Sequence, residues 1–367
     1  LMAVIGLCIF IEADNYAMAA AGRFAIGLGC AFAYIGTLKL ASIWLPPNRF
    51  ATAACLTTAI GMLSGALSQK YLTKVIEMIG YQSALRTALI AGVVLSIIVV
   101  MLVRNRPAHQ SHTPERPMET PMNLKQLGSA LRIIFTNPQM WIIGAIGCLL
   151  YLPSSVFLDL WGIPYLKTVY QLTPEQTVTI SSCTFYGWII SGPLIGVLSD
   201  KIKRRRMPLI VTGLFAAASL SFVFYLPHMI SSASQLNVIF FLVGVCCGAH
   251  SLCFALGKET NPIEISGTSV AVTNMLIMAG GAIFQPLVGK LLDMHTTSPI
   301  GANGLPVYTG ADYTFALSVI PIGAAVAIFL SFFLKETYCE SQAKEAHQRI
   351  FAAKKPMVLN AEMEVVK

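Results

Sequence analysis

Apolar residues run along this chain in long unbroken stretches, with little alternation. Residues 1–11, 50–69, 87–103, 139–158, 176–199, 265–289 and 313–334 contain no Asp, Glu, Lys or Arg. Residues 207–257 form a longer uncharged stretch, which the polar, Pro-containing segment Leu226 to Gln235 divides in two, and residues 16–45 carry only Arg23 and Lys39. A helix needs about 20 predominantly apolar residues to cross a hydrocarbon core of about 30 Å. The pattern therefore predicts ten crossing helices, the first of them cut short. Barrel strands would be about ten residues long and alternate in polarity. These runs are longer and apolar on every face, so the fold class is all-α integral membrane.

One long internal linker, with Pro107, Pro114, Pro117, Pro121 and Pro138, separates the spans. It divides the chain into 1–103, a linker 104–138, a second group of spans 139–334 and a polar tail 335–367. Within the linker, Leu124, Leu127, Leu131 and Ile134 recur at helical spacing opposite Lys125 and Arg132. That suits a short amphipathic helix on the membrane surface, and equally a solvated linker with incidental leucines. When residues 52–69 are laid over 268–285, Thr52, Thr57, Gly65, Ala66 and Gln69 coincide with Thr268, Thr273, Gly281, Ala282 and Gln285. Such duplicated halves are a mark of secondary transporters, whose sites lie between the halves near the midplane.

Composition sharpens this picture. Hydrophobic residues make up 55% and charged residues 11%, whereas soluble domains carry about 25% charge; a water-soluble globule is excluded. The net charge of +8 could suggest nucleic acid, but most of the 25 basic residues fall on one side of the membrane when the tail is placed in the cytoplasm. That is the positive-inside pattern, so basicity reports topology and no nucleic-acid partner is expected. The nine cysteines show no CxxC pair and no metal-ligand spacing with His. They read as packing residues, with no metal and no cofactor.

The segment Gly192-Pro-Leu-Ile-Gly196-Val-Leu-Ser-Asp200-Lys-Ile-Lys-Arg204-Arg205-Arg206 resembles the signature loop of the major facilitator superfamily, in the form found between helices 8 and 9. A second match is Gly22-Arg23-Phe-Ala-Ile-Gly27-Leu-Gly29, similar to the superfamily's Arg-x-x-x-Gly-x-Gly element on helix 4, followed by Trp44-Leu-Pro-Pro-Asn-Arg49. The resemblance implies two pseudo-symmetric bundles with helices 3–12 of 12 visible, helices 1 and 2 and the first copy of the loop being absent from an N-terminally truncated chain. The run from Gly27 through Tyr34 and Gly36 to Trp44 looks like a branch that includes amino-acid and other nutrient transporters of intracellular bacteria. The helix-5 run Gly61 to Leu67 lacks the Gly-Pro step of the drug/proton antiporters. Gly61 with Gly65, Gly192 with Gly196, and Gly244 with Gly248 are small-xxx-small pairs suited to close helix packing.

Asp200 ends its own helix, where the macrodipole disfavours a carboxylate. It is expected to find a basic partner or the start of helix 11 near Gly267 and Thr268. Gly196, Asp200, Arg204 and Arg205 together read as a conformational latch. Ionisable and polar groups inside lipid are costly and mark pathways. Here they are Arg23, which the resemblance turns toward the central cavity, Tyr34, and the helix-7 set Tyr151, Ser154, Ser155, Asp159 and Trp161. His250 on helix 10 and Asn274 on helix 11 complete the candidates, and both Asn274 and Gln285 read first as interhelical hydrogen-bonding residues and only secondarily as cavity-lining ones. Pro153, Gly162 and Pro164 predict a bend in helix 7. Asp159 could bind a cation, pair with Arg23, or take up a coupling proton; the plain alternative is an acid already in interfacial water. His250 could exchange protons or serve only as a neutral hydrogen-bonding residue.

The expectation is therefore a monomeric secondary active transporter of an inner (plasma) membrane, not an enzyme, with a cytoplasmic C-terminus. It moves a small polar, amino-acid-like solute by alternating access. Protons are the expected coupling ion, since neither a sodium-site cluster nor a nucleotide-binding loop is evident. The alternatives are a proton-driven efflux antiporter and a transporter-fold nutrient sensor without flux.

Overall fold

The computed structural model describes residues 1–44, 47–103, 124–262, 265–296 and 306–338, which fall into two compact units, 1–120 and 121–367. The first contains α1 (Met2–Ile11), α2 (Tyr16–Trp44), α3 (Pro47–Ile79) and α4 (Tyr81–Leu102). Between α3 and α4 the chain turns at Gly80, whose φ of 79° lies in the left-handed region that favours glycine. Helices α1 and α2 touch backbone to backbone: a Cβ on Gly22 would lie 2.7 Å from the Phe10 nitrogen, and one on Gly29 would collide with Ala3.

The second unit opens with α5 (Leu124–Thr136), the amphipathic helix anticipated from its leucines. Its Ile134 is buried, and Leu131 packs in the same cluster with Met140, Ile265 and Val272. Leu124 and Leu127 stay exposed. There follow α6 (Pro138–Leu152), a π-helical segment (Pro153–Trp161), α7 (Gly162–Tyr170), α8 (Pro174–Ile202) and α9 (Arg206–Tyr225). The chain then forms α10 (Ala233–Cys247), a 3-10 turn (Gly248–Ser251), α11 (Leu252–Glu259), α12 (Ser266–His295), α13 (Gly310–Leu317) and α14 (Val319–Ser331).

Local sequence explains where these helices start. Asn137, Thr173, Ser232 and Thr309 each accept a backbone N–H of the helix they precede, with reciprocal capping boxes at the last three. Pro138 and Pro174 occupy first-turn positions where no N–H is needed.

Eight helical stretches among the described residues are long and apolar enough to cross a membrane, with α6 through α7, α10 through α11, and α13 through α14 each forming one crossing. Helix α1, with ten residues, is shorter than a crossing. Large apolar side chains such as Leu194, Val197, Phe215 and Phe329 are exposed, which a lipid surrounding tolerates and water would not.

In lipid, helices associate through packing more than through loss of water, so small residues decide which backbones approach. The tightest case is α8 against α10: a Cβ on Gly187 would strike the Phe241 carbonyl, and one on Gly244 the Thr184 carbonyl. Gly248 likewise lies against Ser191 and Gly192. The other glycine pairs behave differently. Gly61, Gly192 and Gly196 would each hold a Cβ in open space.

Candidate functional site

The first candidate region is the crossing made by α6, the π segment and α7. Pro153 has no N–H to give, and from Pro153 the chain widens into nine residues of π-helix. The bend anticipated from Pro153 and Gly162 thus takes the form of a wider turn. At the far end of the segment, the Gly162 N–H bonds the carbonyl of Phe157, five residues back. A Cβ at Gly162 would lie 2.7 Å from that carbonyl oxygen. π segments frequently accompany functional sites.

Ser154 and Ser155 are buried, while Asp159 and Leu160 are exposed. The Ser155 hydroxyl donates to the Tyr151 carbonyl at 3.3 Å, and the Ser155 carbonyl accepts the side-chain amide of Gln285 on α12 at 2.5 Å. The Trp161 indole N–H in turn donates to the Gln285 carbonyl at 3.2 Å. Gln285 is therefore the interhelical residue its position on the sequence suggested. The Asp159 carboxylate makes no hydrogen bond or ion pair among the described residues.

His250 sits in the 3-10 turn that interrupts the α10–α11 crossing and is 6% exposed. Its Nδ1 lies 2.9 Å from the Cys247 carbonyl. A carbonyl only accepts, so Nδ1 is the donor in this contact. The imidazole is enclosed by aromatic rings: Trp188 at 4.8 Å and edge-on, Tyr151 at 5.2 Å, and Phe254 at 6.0 Å between centroids. The structure thus brings together Tyr151 and His250 and adds Trp188 and Phe254, which the sequence did not single out. Asn274 is half-buried on α12, and its side chain makes no hydrogen bond among the described residues.

In the first unit, Arg23 is exposed and its guanidinium lies 4.5 Å from the centre of the Phe10 ring. That cation–π contact binds it to α1. The side chains of Tyr34, Lys39 and Gln69, residues 45–46 and the side chains of 47–49 of the Trp44–Arg49 element, the linker 104–123 and the tail from 339 lie outside the described residues.

The second candidate region is the loop between α8 and α9. Lys203, with φ 51°, ends α8 in the left-handed conformation and folds the chain back, so the Ser199 hydroxyl donates to the Arg204 carbonyl at 2.9 Å. Arg205 is thereby turned inward. Its guanidinium meets Asp200 at 2.7 Å and Glu259 at 2.7 Å, and donates to the Ser199 hydroxyl at 3.0 Å. Its side chain is 8% exposed, against 65% for Asp200.

Glu336 completes the cluster. Its carboxylate accepts the backbone N–H groups of Arg205 at 2.7 Å and Arg206 at 3.1 Å, at the positive end of α9. The Thr337 hydroxyl bonds Glu259. Asp200 thus finds its basic partner within its own loop. Among the described residues no bond joins the Asp200 carboxylate to the start of α12. Arg204 is exposed. Glu259, Glu336 and Thr337 went unrecognised in the sequence, although each stands at the edge of an apolar run facing a three-arginine loop.

At the opposite end of this unit, His295 Nδ1 lies 2.7 Å from Asp312 and its ring stacks on Phe315 at 4.6 Å. The second Asp312 oxygen accepts the N–H and hydroxyl of Thr309, both at 2.8 Å. The Tyr308 hydroxyl donates to Asp293 at 2.5 Å. That bond to a carboxylate pushes the phenol up to about 12.

Comparison with known proteins agrees with this architecture. The profile of the Major Facilitator Superfamily matches residues 1–285. The Fujikurins efflux protein of Gibberella fujikuroi is 25% identical over 291 residues, 78% of this chain and 57% of that protein, so the chain spans little more than half of that relative's length. Two crystal structures of a bacterial homologue of the human lysosomal transporter Spinster, both inward-facing, one unoccupied and one occupied, share the fold. Their TM-scores are 0.58 and 0.57 at 13% identity, covering 92% and 91% of this chain and 81% and 80% of theirs. With a family match over most of its length and a helical fold shared with a solved transporter, the chain belongs to the Major Facilitator Superfamily.

Proposed function

We propose that this transporter is a proton-coupled symporter that carries a small polar organic solute by alternating access, and that Asp159 takes part in the coupling. The observation that carries the reading is the environment of Asp159. It is a carboxylate on a π segment within a membrane crossing, exposed and without a hydrogen-bond or ion-pair partner among the described residues. Ionisable groups at that depth are expensive to keep and usually serve ions or substrate. The Tyr151–His250 pair, on the same crossing and on the α10–α11 crossing, supplies polar atoms for a solute. Arg23, Tyr34, Trp161 and Asn274 remain further candidates for the pathway. The Asp200–Arg205–Glu259–Glu336 cluster is the proposed latch. It joins α8, α9, α11 and the segment after α14 at one end, where rearrangement would change how these helices hold together. The charge distribution supports a cytoplasmic C-terminus, and an inner membrane and a monomeric working unit are part of the same proposal.

Export is the second reading, favoured by the likeness to the Fujikurins efflux protein of Gibberella fujikuroi. One experiment separates them. The purified protein is reconstituted in liposomes holding a pH-sensitive dye, and amino acids, dipeptides, sugars and organic acids are added outside. Solute-dependent acidification of the lumen that disappears in Asp159→Asn is expected. Solute-dependent alkalinisation would instead indicate exchange, and solute flux with no proton movement would overturn the coupling.

A further inference from the structure

We propose that Gln285 is a positioning residue: its side-chain amide, by donating to the Ser155 carbonyl, holds the Pro153–Trp161 segment in its π register and so decides which side of the crossing Asp159 occupies. In an α-helix the Ser155 carbonyl would accept the N–H of the residue four ahead, which is Asp159. In the π register its partner within the chain is one residue further on. The Gln285 amide, 2.5 Å from this carbonyl, ties the carbonyl to its present position, which a return to the α register would have to change.

The clamp has a second jaw. The Trp161 indole donates to the Gln285 carbonyl at 3.2 Å, so one residue of α12 grips both ends of the stretch that contains Asp159. The α12 surface is shaped for this. A Cβ on Gly281 would be 3.6 Å from the Ser155 Cβ, and one on Gly289 would be 3.3 Å from the Trp161 ring. Gly281, Gln285 and Gly289 follow at intervals of four, on one helix face. Gly162 makes the register possible at its C-terminal end, because a Cβ there would crowd the Phe157 carbonyl that its own N–H bonds.

Removing the extra residue from the turn rotates Asp159 relative to Tyr151 by about 100°. Gln285 therefore acts on Asp159 through the backbone, without touching its carboxylate. The consequence for transport rests on the role proposed for Asp159 above; the register itself does not.

The test is the structure of Gln285→Met protein in lipid nanodiscs, together with its transport kinetics. Methionine matches glutamine in length and cannot donate. The Asp159 N–H is expected within bonding distance of the Ser155 carbonyl, with the Asp159 side chain turned. A loss on the order of 10- to 100-fold in kcat/KM should accompany it, the scale set by small misplacements of reacting groups, with the pH profile of transport shifted. A retained π register in Gln285→Met overturns the proposal. If that variant does not fold, Gln285→Leu, which also lacks the side-chain amide, asks the same question, and a retained π register there is equally decisive. Should Asp159→Asn transport normally while Gln285→Met changes register, the coupling reading fails and the clamp stands.

Discussion

At the loop end of the second unit one arginine gathers carboxylates from three separate elements, two through its guanidinium and one through its backbone, whereas at the opposite end an imidazole meets one carboxylate that is already engaged in a helix cap. Arg205 is buried and draws in Asp200, Glu259 and, through its backbone, Glu336. His295 is 40% exposed and Asp312 is held independently by Thr309. The difference is one of dependence. At the loop end the buried Glu259 depends on the arginine side chain, while Asp200 is open to water and Glu336 is held by backbone N–H groups; at the far end the aspartate keeps two donors when the histidine leaves, and the histidine keeps water.

The sharpest way to break this contrast is Arg205→Ala. It strands Glu259, whose side chain is only 12% exposed, and a broken buried pair costs about 3–5 kcal/mol. Thermal unfolding in detergent should therefore shift strongly, and a shift no larger than that of an exposed arginine such as Arg204 would remove the distinction. Asp312→Ala comes next. It deletes the capping box of α13 along with the His295 contact, with an expected cost of about 1–2 kcal/mol, and His295→Ala should cost less than Asp312→Ala. If the two are equal, the ion pair and not the cap holds that end.

Tyr308→Phe should have the smallest effect, within about 0.5 kcal/mol at neutral pH. Its sign with pH is fixed. The folded protein favours the protonated phenol, raised from an ordinary value of about 10 to about 12. Any stability it contributes is thus present below pH 10 and lost as pH rises through 12. Denaturant midpoints of wild type and variant should converge over that window, and divergence would mean that the Asp293 bond is not the cause.

Much of the fold could be read from residue order because lipid imposes one rule on every crossing: a charge-free run of about 20 residues is visible without knowing its neighbours. The same holds for α5, whose leucine spacing reports a helix. The candidate site was legible only in part, since its defining contacts join residues far apart in the chain. Pro153 and Gly162 announced an irregular helix, but nothing near them specifies a π register; that depends on Gln285, on another helix. Asp200 was recognised as needing a partner, yet the choice of Arg205 follows from the left-handed turn at Lys203, a conformation that a lysine does not advertise. Glu259 and Glu336 stand where acids are ordinary, at the ends of apolar runs, and only folding shows that both face one arginine. Likewise the spacing of Gly192 and Gly196 matches that of Gly244 and Gly248, but only in the latter pair is the place of a side chain taken up by the neighbouring helix.

The contact between α8 and α10 has a mechanical consequence. Where Gly187 and Gly244 bring the two backbones together there is no side chain left to change rotamer, and so no soft material to absorb a displacement. The two helices must act as a single stiff strut. Whatever compliance this unit needs during a transport cycle has to come from crossings whose backbone ladders are irregular, the π segment of one and the 3-10 turn of the other, and these would serve as its springs.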